Sequence, residues 1–412
     1  MTVRANPREL LLGAYHAALT AVDARLAVRR VLSAEPPAGP VRLVAVGKAA
    51  ASMSTGALEV LGDAVVAGLV VHPEGVTAPS DHRVRSMPSA HPVPDARSLE
   101  AGEALLGFVA DAPADAHFLF LLSGGASSLV ESLVQGGTLD GLAGMNRRLL
   151  ADGLSIDRMN RVRRAVSRIK GGRLGQCLRG RPARVLLISD VPGDDPAVIG
   201  SGLLVPPSDA PSRPSDLPPA YTDFLPPAEP GPSRDDPALA GVAWSVIASN
   251  ETALNGACNY LRNAGQRVAL ADAFLADDAV VEGGRVAAVL TAAPSGALVW
   301  GGEPSVTLPE AAGEGGRMQA LALSAARHLD GNPEVTLLAA GTDGIDGDSQ
   351  AAGALVDGAT LARGRARAMT ADAALAAADA GAFLRATGDQ LVTGPTGTNV
   401  MDVVIGLRQN EN

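Results

Sequence analysis

Short apolar runs that end in glycine and small polar residues recur along this chain, and they alternate with segments of helical period. VRLVAV (41–46) ends at Gly47-Lys48, HFLFLL (117–122) at SGGASS (123–128), and VLLI (185–188) at SDVPGDDP (189–196). Further on, VAWSVIA (242–248) is followed by SNET (249–252), ALVW (297–300) by GGEP (301–304) and VTLLAA (335–340) by GTDGIDGD (341–348), while GPTGTN (394–399) precedes the last run. Runs that are apolar on both faces and separated by helices imply α/β architecture with mostly parallel sheets covered on both sides. Aromatic residues are only 3% of the chain, so Ala, Val and Leu must build the core, which suits helix–sheet packing.

The periodicity predicts helices over Arg8–Leu32, after Lys48, and near Asp95–Val109, Thr138–Ala151, Ile156–Ile169, Thr252–Ala264, Met318–Leu329 and Ala371–Ala378. Strands are also expected near Val65–Val71 and Val400–Ile405. Residues 206–237 break the rhythm, with 11 of the chain's 29 prolines. Proline removes a backbone donor and opposes regular helix, so this stretch reads as a connector, ordered in part through Tyr221 and Phe224. With 412 residues, two domains are expected, 1–235 and 236–412.

A formal net charge of −10 disfavours nucleic acid as a partner, since such binders carry a dominant basic surface. Cys177 and Cys258 lie far apart and form no CxxC, which fits a reducing compartment. The N-terminus lacks an apolar signal segment, and no run approaches the ~20 residues of a spanning helix. The expectation is a cytoplasmic protein with no membrane association.

In open α/β sheets, ligands bind beyond the carboxyl ends of the strands. The loops at those ends therefore supply the candidates for substrate and phosphate binding: Ser123, Gly124, Gly125, Ser127, Ser128, Asn250, Glu251, Glu303, Thr342, Asp343, Thr396 and Asn399. Only two of the 34 Lys+Arg residues are lysine, Lys48 and Lys170, and both adjoin glycine. A compact ammonium at a strand end suits a phosphate oxygen or a developing alkoxide. Asp190 is the leading acid, as general base or, with Asp194, as magnesium ligand; an N-cap of the following turn is its structural alternative. SGGASS could present backbone N–H groups and hydroxyls to an anion, or form an ordinary capped turn. Arg161, Arg164 and Arg168 share a face of the expected helix, either to attract an anion or as a solvated surface. Asp343, Asp346 and Asp348 lack EF-hand spacing, and active-site loop and plain turn stay open for them. His91, in AHPVPD, reads as a structural turn.

The chain holds no G-x-x-x-x-G-K-[ST], no G-x-S-x-G and no H-E-x-x-H, and VAVGKAAASM is not the G-x-G-x-x-G of nicotinamide-binding turns. Taken in order from about 41 to 407, VAVGKAA, HPVPD, SGGASSL, NRVRRAVSRIKGGRL, LISDVPGDDPAVIGSG, SNETAL, GGEPSVTL, GGRMQALAL, GTDGIDGDSQAAGALVD and GPTGTNVMDVVIGL resemble the glycerate 2-kinase family, whose members are also known as hydroxypyruvate reductases or MOFRL-domain proteins. Within GGRMQA the chain carries Met318 and Ala320 where the family commonly has polar side chains. The resemblance implies a larger Rossmann-like N-terminal domain, a smaller MOFRL-type C-terminal domain and an active site between them. It implies ATP- and Mg²⁺-dependent phosphorylation of D-glycerate, usually giving 2-phosphoglycerate, with Lys48, Asp190 and Arg317 as catalytic residues. A homodimer is the expected assembly. The alternatives are an NAD(P)H-dependent hydroxypyruvate reductase, disfavoured by the missing dinucleotide turn, and a non-catalytic small-ligand binding protein.

Overall fold

The computed structural model describes residues 6–154, 156–208 and 210–409; Asp209 of the expected connector lies outside them. The chain forms two compact units, residues 24–247 and residues 1–23 with 248–412.

The first unit is built on a six-stranded sheet: β1 (Val41–Val46), β2 (Val65–Pro73), β3 (Val84–Ser89), β4 (His117–Leu122), β5 (Ala183–Ile188) and β6 (Val242–Ala248). Their order is β3-β2-β1-β4-β5-β6, the order of dinucleotide-binding sheets. The β3–β2, β2–β1, β1–β4 and β4–β5 pairings are all parallel. The chain leaves β1 toward β2 and returns later to β4 on β1's other side, so the strand order reverses between β1 and β4. Helix Ala96–Ala110 supplies Ala101, Leu105 and Val109 to the core over Val44, Val46, Phe118 and Phe120. A satellite core gathers Leu142, Met145 and Val162 under Tyr221 and Leu225. The proline-rich connector is thus anchored through Tyr221, as expected, with Phe224 partly buried beside it.

The second unit holds the other sheet: β7 (Val268–Leu270), β8 (Gly296–Gly302), β9 (Val335–Gly341), β10 (Gly353–Asp357), β11 (Gln390–Leu391) and β12 (Asp402–Arg408). Their order is β11-β10-β9-β12-β8-β7. Here the expectation of mostly parallel strands needs correction. β7–β8 is parallel, but β12 inserts between β8 and β9 antiparallel to both, and β10 runs antiparallel to β9 and β11. The cause is topological: β8 and β9 are joined through helix Arg317–Leu329, which leaves a gap that the last strand fills from the opposite direction. Helices Ala279–Ala292 and Arg317–Leu329 bury Val286, Leu290, Leu321 and Leu329 against Leu337, Ala339 and Val404.

The single helix expected over Arg8–Leu32 is two, Pro7–Ala21 and Ala24–Ala34. The break at Val22-Asp23 follows from where each half buries its face. A Cβ on Gly13 would meet the Tyr260 ring, and one on Gly256 the Ala17 carbonyl, so Pro7–Ala21 packs on helix Asn250–Asn263 of the second unit. A Cβ on Gly56 would meet the Arg25 carbonyl, so Ala24–Ala34 packs on helix Ala50–Leu61 of the first. The compact units therefore depart from 1–235 and 236–412 at both ends: the first helix belongs with the C-terminal sheet, and β6 with the N-terminal one. No helix among the described residues is long and apolar enough to cross a membrane.

Candidate active site

The carboxyl ends of β1 and β4 lie side by side where the strand order reverses, and hydrogen bonds tie the loops that leave them. Lys48 N–H donates to the Gly124 carbonyl (2.8 Å), and Ser123 N–H donates to the Val46 carbonyl (3.1 Å). Ala49 N–H donates to Ser123 Oγ (3.0 Å). Gly47 has φ +135°, and a Cβ there would lie 2.1 Å from Ser123 Oγ; this crossing tolerates only glycine. Lys48 is thereby fixed at the sheet edge, half-buried, just before helix Ala50–Leu61.

Asp190 follows β5 and closes on the same turn. A Cβ on Gly124 would fall 1.9 Å from Asp190 Oδ2, and one on Gly125 would fall 3.2 Å from Lys48 Cγ and 2.8 Å from His91 Cδ2. The sequence-predicted Lys48, Gly124, Gly125 and Asp190 thus converge, with His91 from the loop after β3 as a member that sequence reasoning set aside as a turn. Burial first, and the Lys48 ammonium second, hold the His91 pKa below its ordinary value, which favours a neutral imidazole. In the following turn, Asp195 Oδ1 accepts from Ala197 N–H (2.9 Å). Asp194 lies in the same loop with φ 54°.

The hydroxyls of SGGASS are largely committed to the protein. Ser127 Oγ pairs with Ser201 Oγ (2.8 Å), and Ser128 Oγ donates to the Gly125 carbonyl (3.0 Å). Ser127, Ser128 and Gly125 border a pocket of about 210 Å³ that also includes Asn146, Arg163 and Lys170. Lys170 is buried, with Nζ 2.6 Å from Glu131 Oε2. Glu131 also accepts from Ser167 Oγ (2.6 Å) and Ser132 N–H (3.0 Å). The Lys170 charge is therefore neutralised inside the protein. Arg163 donates to Asn146 Oδ1 (3.2 Å), and burial pushes its guanidinium pKa down. Arg161, Arg164 and Arg168 do not share one helical face: the helix ends at Ala165, because Ser167 bridges Leu133 and Arg168 N–H donates to the Ser132 carbonyl (2.8 Å).

The second unit centres on Arg317, first residue of its helix. Nε and Nη2 donate to the two oxygens of Asp402 (2.6 and 3.2 Å), and Nη1 pairs with Glu303 (3.2 Å). Asp402, which sequence reasoning missed, is fully buried at the start of β12. Burial pushes its carboxyl up to about 7, against the pull of Arg317 and with the help of Asp346 and Glu303. Asp346 caps the same helix from outside it, accepting from Met318 N–H (3.0 Å) and Gln319 N–H (2.8 Å). Burial raises its pKa as well. Asn250 and Thr342 are buried and bind backbone. Asn250 Nδ2 donates to the carbonyls of Val400 and Asp402 (both 2.9 Å), and Thr342 Oγ1 donates to that of Met401 (2.7 Å). Thr396 Oγ1 donates to the Thr342 carbonyl (2.6 Å). Asn399 Oδ1 accepts from Met401 N–H (3.2 Å) and Asp343 Oδ1 from Ile345 N–H (3.2 Å). These residues hold the loop before β12 in shape, with Met401 at φ 68°. Glu251 stands exposed in the first turn of helix Asn250–Asn263.

Among the described residues no group of three or more His, Cys, Asp or Glu could hold a metal. Magnesium in phosphoryl-transfer sites takes one or two carboxylates, with substrate phosphates and water completing the shell. The half-buried carboxylates of Asp190 and Asp194 at the sheet edge fit that donor set.

Two family models match the chain: "Domain of unknown function (DUF4147)" over residues 10–221 and "MOFRL family" over residues 296–402. A protein named "Putative hydroxypyruvate reductase" from Agrobacterium vitis is 37% identical, the match covering 88% of this chain and 97% of that protein. The D-glycerate 2-kinase of Thermotoga maritima is 35% identical over 89% of this chain and 90% of its own length. The crystal structure of a glycerate kinase (EC 2.7.1.31) from Thermotoga maritima superposes with a TM-score of 0.88 at 32% identity, covering 98% of this chain and 99% of that one. Two strand-end loops locked around a lysine, a carboxylate and two glycines thus accompany likeness along nearly the whole length, and the chain belongs to the glycerate 2-kinase family, a DUF4147 domain followed by a MOFRL domain.

Proposed function

We propose that this protein is a kinase that transfers the γ-phosphoryl group of ATP to the 2-hydroxyl of D-glycerate, giving 2-phosphoglycerate. The observation that carries the reading is the convergence of Lys48 and Asp190 on the Gly124–Gly125 turn where the strand order reverses. Phosphoryl transfer needs positioning and charge neutralisation more than covalent participation by the protein, and this edge offers both. The two-glycine turn lets phosphate oxygens approach backbone closely. Lys48 places an ammonium where negative charge accumulates on the transferring group. Asp190 orients the attacking hydroxyl and takes its proton as the new O–P bond forms and the bond to ADP breaks. With Asp190 as the base, Asp194 is the residue that would hold Mg²⁺; the ion would supply neutralisation of phosphate charge. Neutral His91 adds a hydrogen-bonding group without further positive charge.

Within the second unit, Arg317 is proposed as a carboxylate-binding residue. Its Nη1 faces Glu303, whose side chain is 41% exposed, so an incoming carboxylate can take that position while Asp402 keeps the guanidinium oriented.

The test is product formation. D-Glycerate, ATP and magnesium with the purified protein should give ADP and a single new phosphomonoester resonance in the phosphorus NMR spectrum, that of 2-phosphoglycerate. A 3-phosphoglycerate resonance would correct the position of transfer. Hydroxypyruvate-driven loss of reduced-nicotinamide absorbance without ADP formation would replace the kinase by the reductase that the strand order alone would also accommodate. Binding of glycerate or ATP without turnover would leave a ligand-binding protein.

A further inference from the structure

A cavity of about 990 Å³ in the first unit lies away from the candidate active site. Ala112 and Ala114 precede β4, and Arg179 and Arg181 precede β5. Lys48 and Asp190 follow β1 and β5. In a parallel sheet these are opposite edges, separated by a six-residue strand, or about 20 Å at ~3.3 Å per residue. The proline-rich connector forms one wall through Pro226, Pro227 and Pro230.

Four arginines line the cavity, Arg168, Arg173, Arg179 and Arg181, against one acidic side chain, Glu229. Their partners differ in a telling way. Arg168 is neutralised by Glu103 (3.1 Å). Arg173 is only 6% exposed, and four of its five N–H bonds go to backbone carbonyls, of Glu229 twice, Arg164 and Lys170. Arg181 likewise donates to the carbonyls of Leu178, Ala112, Val109 and Cys177, with its guanidinium 5.3 Å from the centre of the Phe118 ring. Carbonyls satisfy donors but leave a formal charge, so two cations are locked at the wall without a direct ion pair, Arg173 feeling Asp216 only from a distance. Arg179 is exposed, and among the described residues its guanidinium makes no hydrogen bond or ion pair. Burial pushes the Arg173 and Arg181 pKa values down, and the neighbouring charges of Arg164 and Arg179 respectively add to it, a penalty that a bound anion would offset. Leu106, Val134 and the three prolines form an apolar stretch of the remaining wall, beside Gln135 and Gln176. In a chain whose net charge is −10, this concave surface carries an excess of fixed arginine, and arginine forks suit phosphoryl oxygens.

We infer that this cavity is a second ligand site, distinct from the kinase centre, which binds an organic phosphate: the phosphoryl group on Arg179 in the field of Arg173 and Arg181, and the apolar body against Leu106, Val134 and the connector prolines. The site stands on geometry at the opposite sheet edge and is independent of the proposed kinase reaction.

The experiment titrates the full chain with 1-naphthyl phosphate by isothermal calorimetry, with inorganic phosphate in a parallel arm. The expected result is saturable 1:1 binding, at least tenfold tighter than inorganic phosphate. Arg179→Glu and, separately, Ala114→Glu should each weaken it at least tenfold, while ADP formation from D-glycerate and ATP stays at the parent rate. Cys177 lines the cavity, so its alkylation by iodoacetamide should slow when naphthyl phosphate is bound. No saturable binding at millimolar concentration would overturn the inference. So would binding that both folded variants retain, or a ligand that leaves Cys177 alkylation unchanged. An acidic peptide that binds here where naphthyl phosphate does not would overturn it too.

Discussion

A Cβ on Gly124 would lie 1.9 Å from Oδ2 of Asp190, so the backbone leaving β4 and the carboxylate after β5 fill adjoining space with no room for a methyl group. Gly124→Ala should therefore displace Asp190 while leaving the sheet intact. We expect turnover of D-glycerate to fall about 100-fold, the scale of loss from an ångström-sized misplacement, with an unchanged far-ultraviolet spectrum. Parent-like turnover in that variant would separate Asp190 from the reaction.

Lys48 and Lys170 should respond oppositely to the same substitution. Lys48→Met removes a half-buried ammonium beside the two-glycine turn. It should lower kcat/KM by about 10²–10³-fold, as loss of one preorganised charge does, with little change in melting temperature. A folded Lys48→Met protein with parent turnover would refute its role.

Lys170→Met instead strands the Glu131 carboxylate, whose side chain is 1% exposed and which faces an ammonium 4% exposed. Breaking such a pair from one side costs about 3–5 kcal/mol, so the denaturant midpoint should drop sharply. Lys170→Met with Glu131→Gln together should recover part of the loss. Unchanged stability in the single variant would place the Lys170 charge outside the core.

Asp402 links the second unit to pH. Its unfolded value is near ~3.9, and burial carries the folded value to about 7. Between those values the folded chain keeps a proton that the unfolded chain has released, so this group's contribution to stability falls as pH rises across that window. Arg317 draws the folded value down. Arg317→Met should raise it further and carry the fall in stability beyond pH 7, whereas Asp402→Asn should flatten the profile. Denaturant midpoints at pH 5, 6, 7 and 8 check this; parallel profiles for parent and Arg317→Met would contradict it.

The strand ends were readable because their signal is local. Val41–Val46 and His117–Leu122 are formed over the same residues that the apolar runs mark, and Lys48 and Asp190 stand directly after two such runs. The strand Val84–Ser89 escaped notice because it is an edge strand with exposed Arg85, Ser86 and Pro88 in place of an apolar run. Helix Ala279–Ala292 was missed because its apolar residues are spread around its circumference rather than gathered in one stripe. His91 read as a turn because nothing near it in sequence reveals that Lys48 and Gly125 will be its neighbours.

Amino-acid pattern alone determined that this chain makes α/β units with small, polar strand-end loops, because pleat, helical period and turn chemistry each act over a few residues. Tertiary structure alone decided the rest. It sent the first helix to the second sheet, inserted β12 between β8 and β9 against their direction, and set Asp402 behind Arg317 and Asp346 in front of its helix. It also tied Lys170 to Glu131. Those outcomes depend on which apolar faces and buried charges find one another across long stretches of chain, and a buried charge takes its meaning from the partner that packing brings to it.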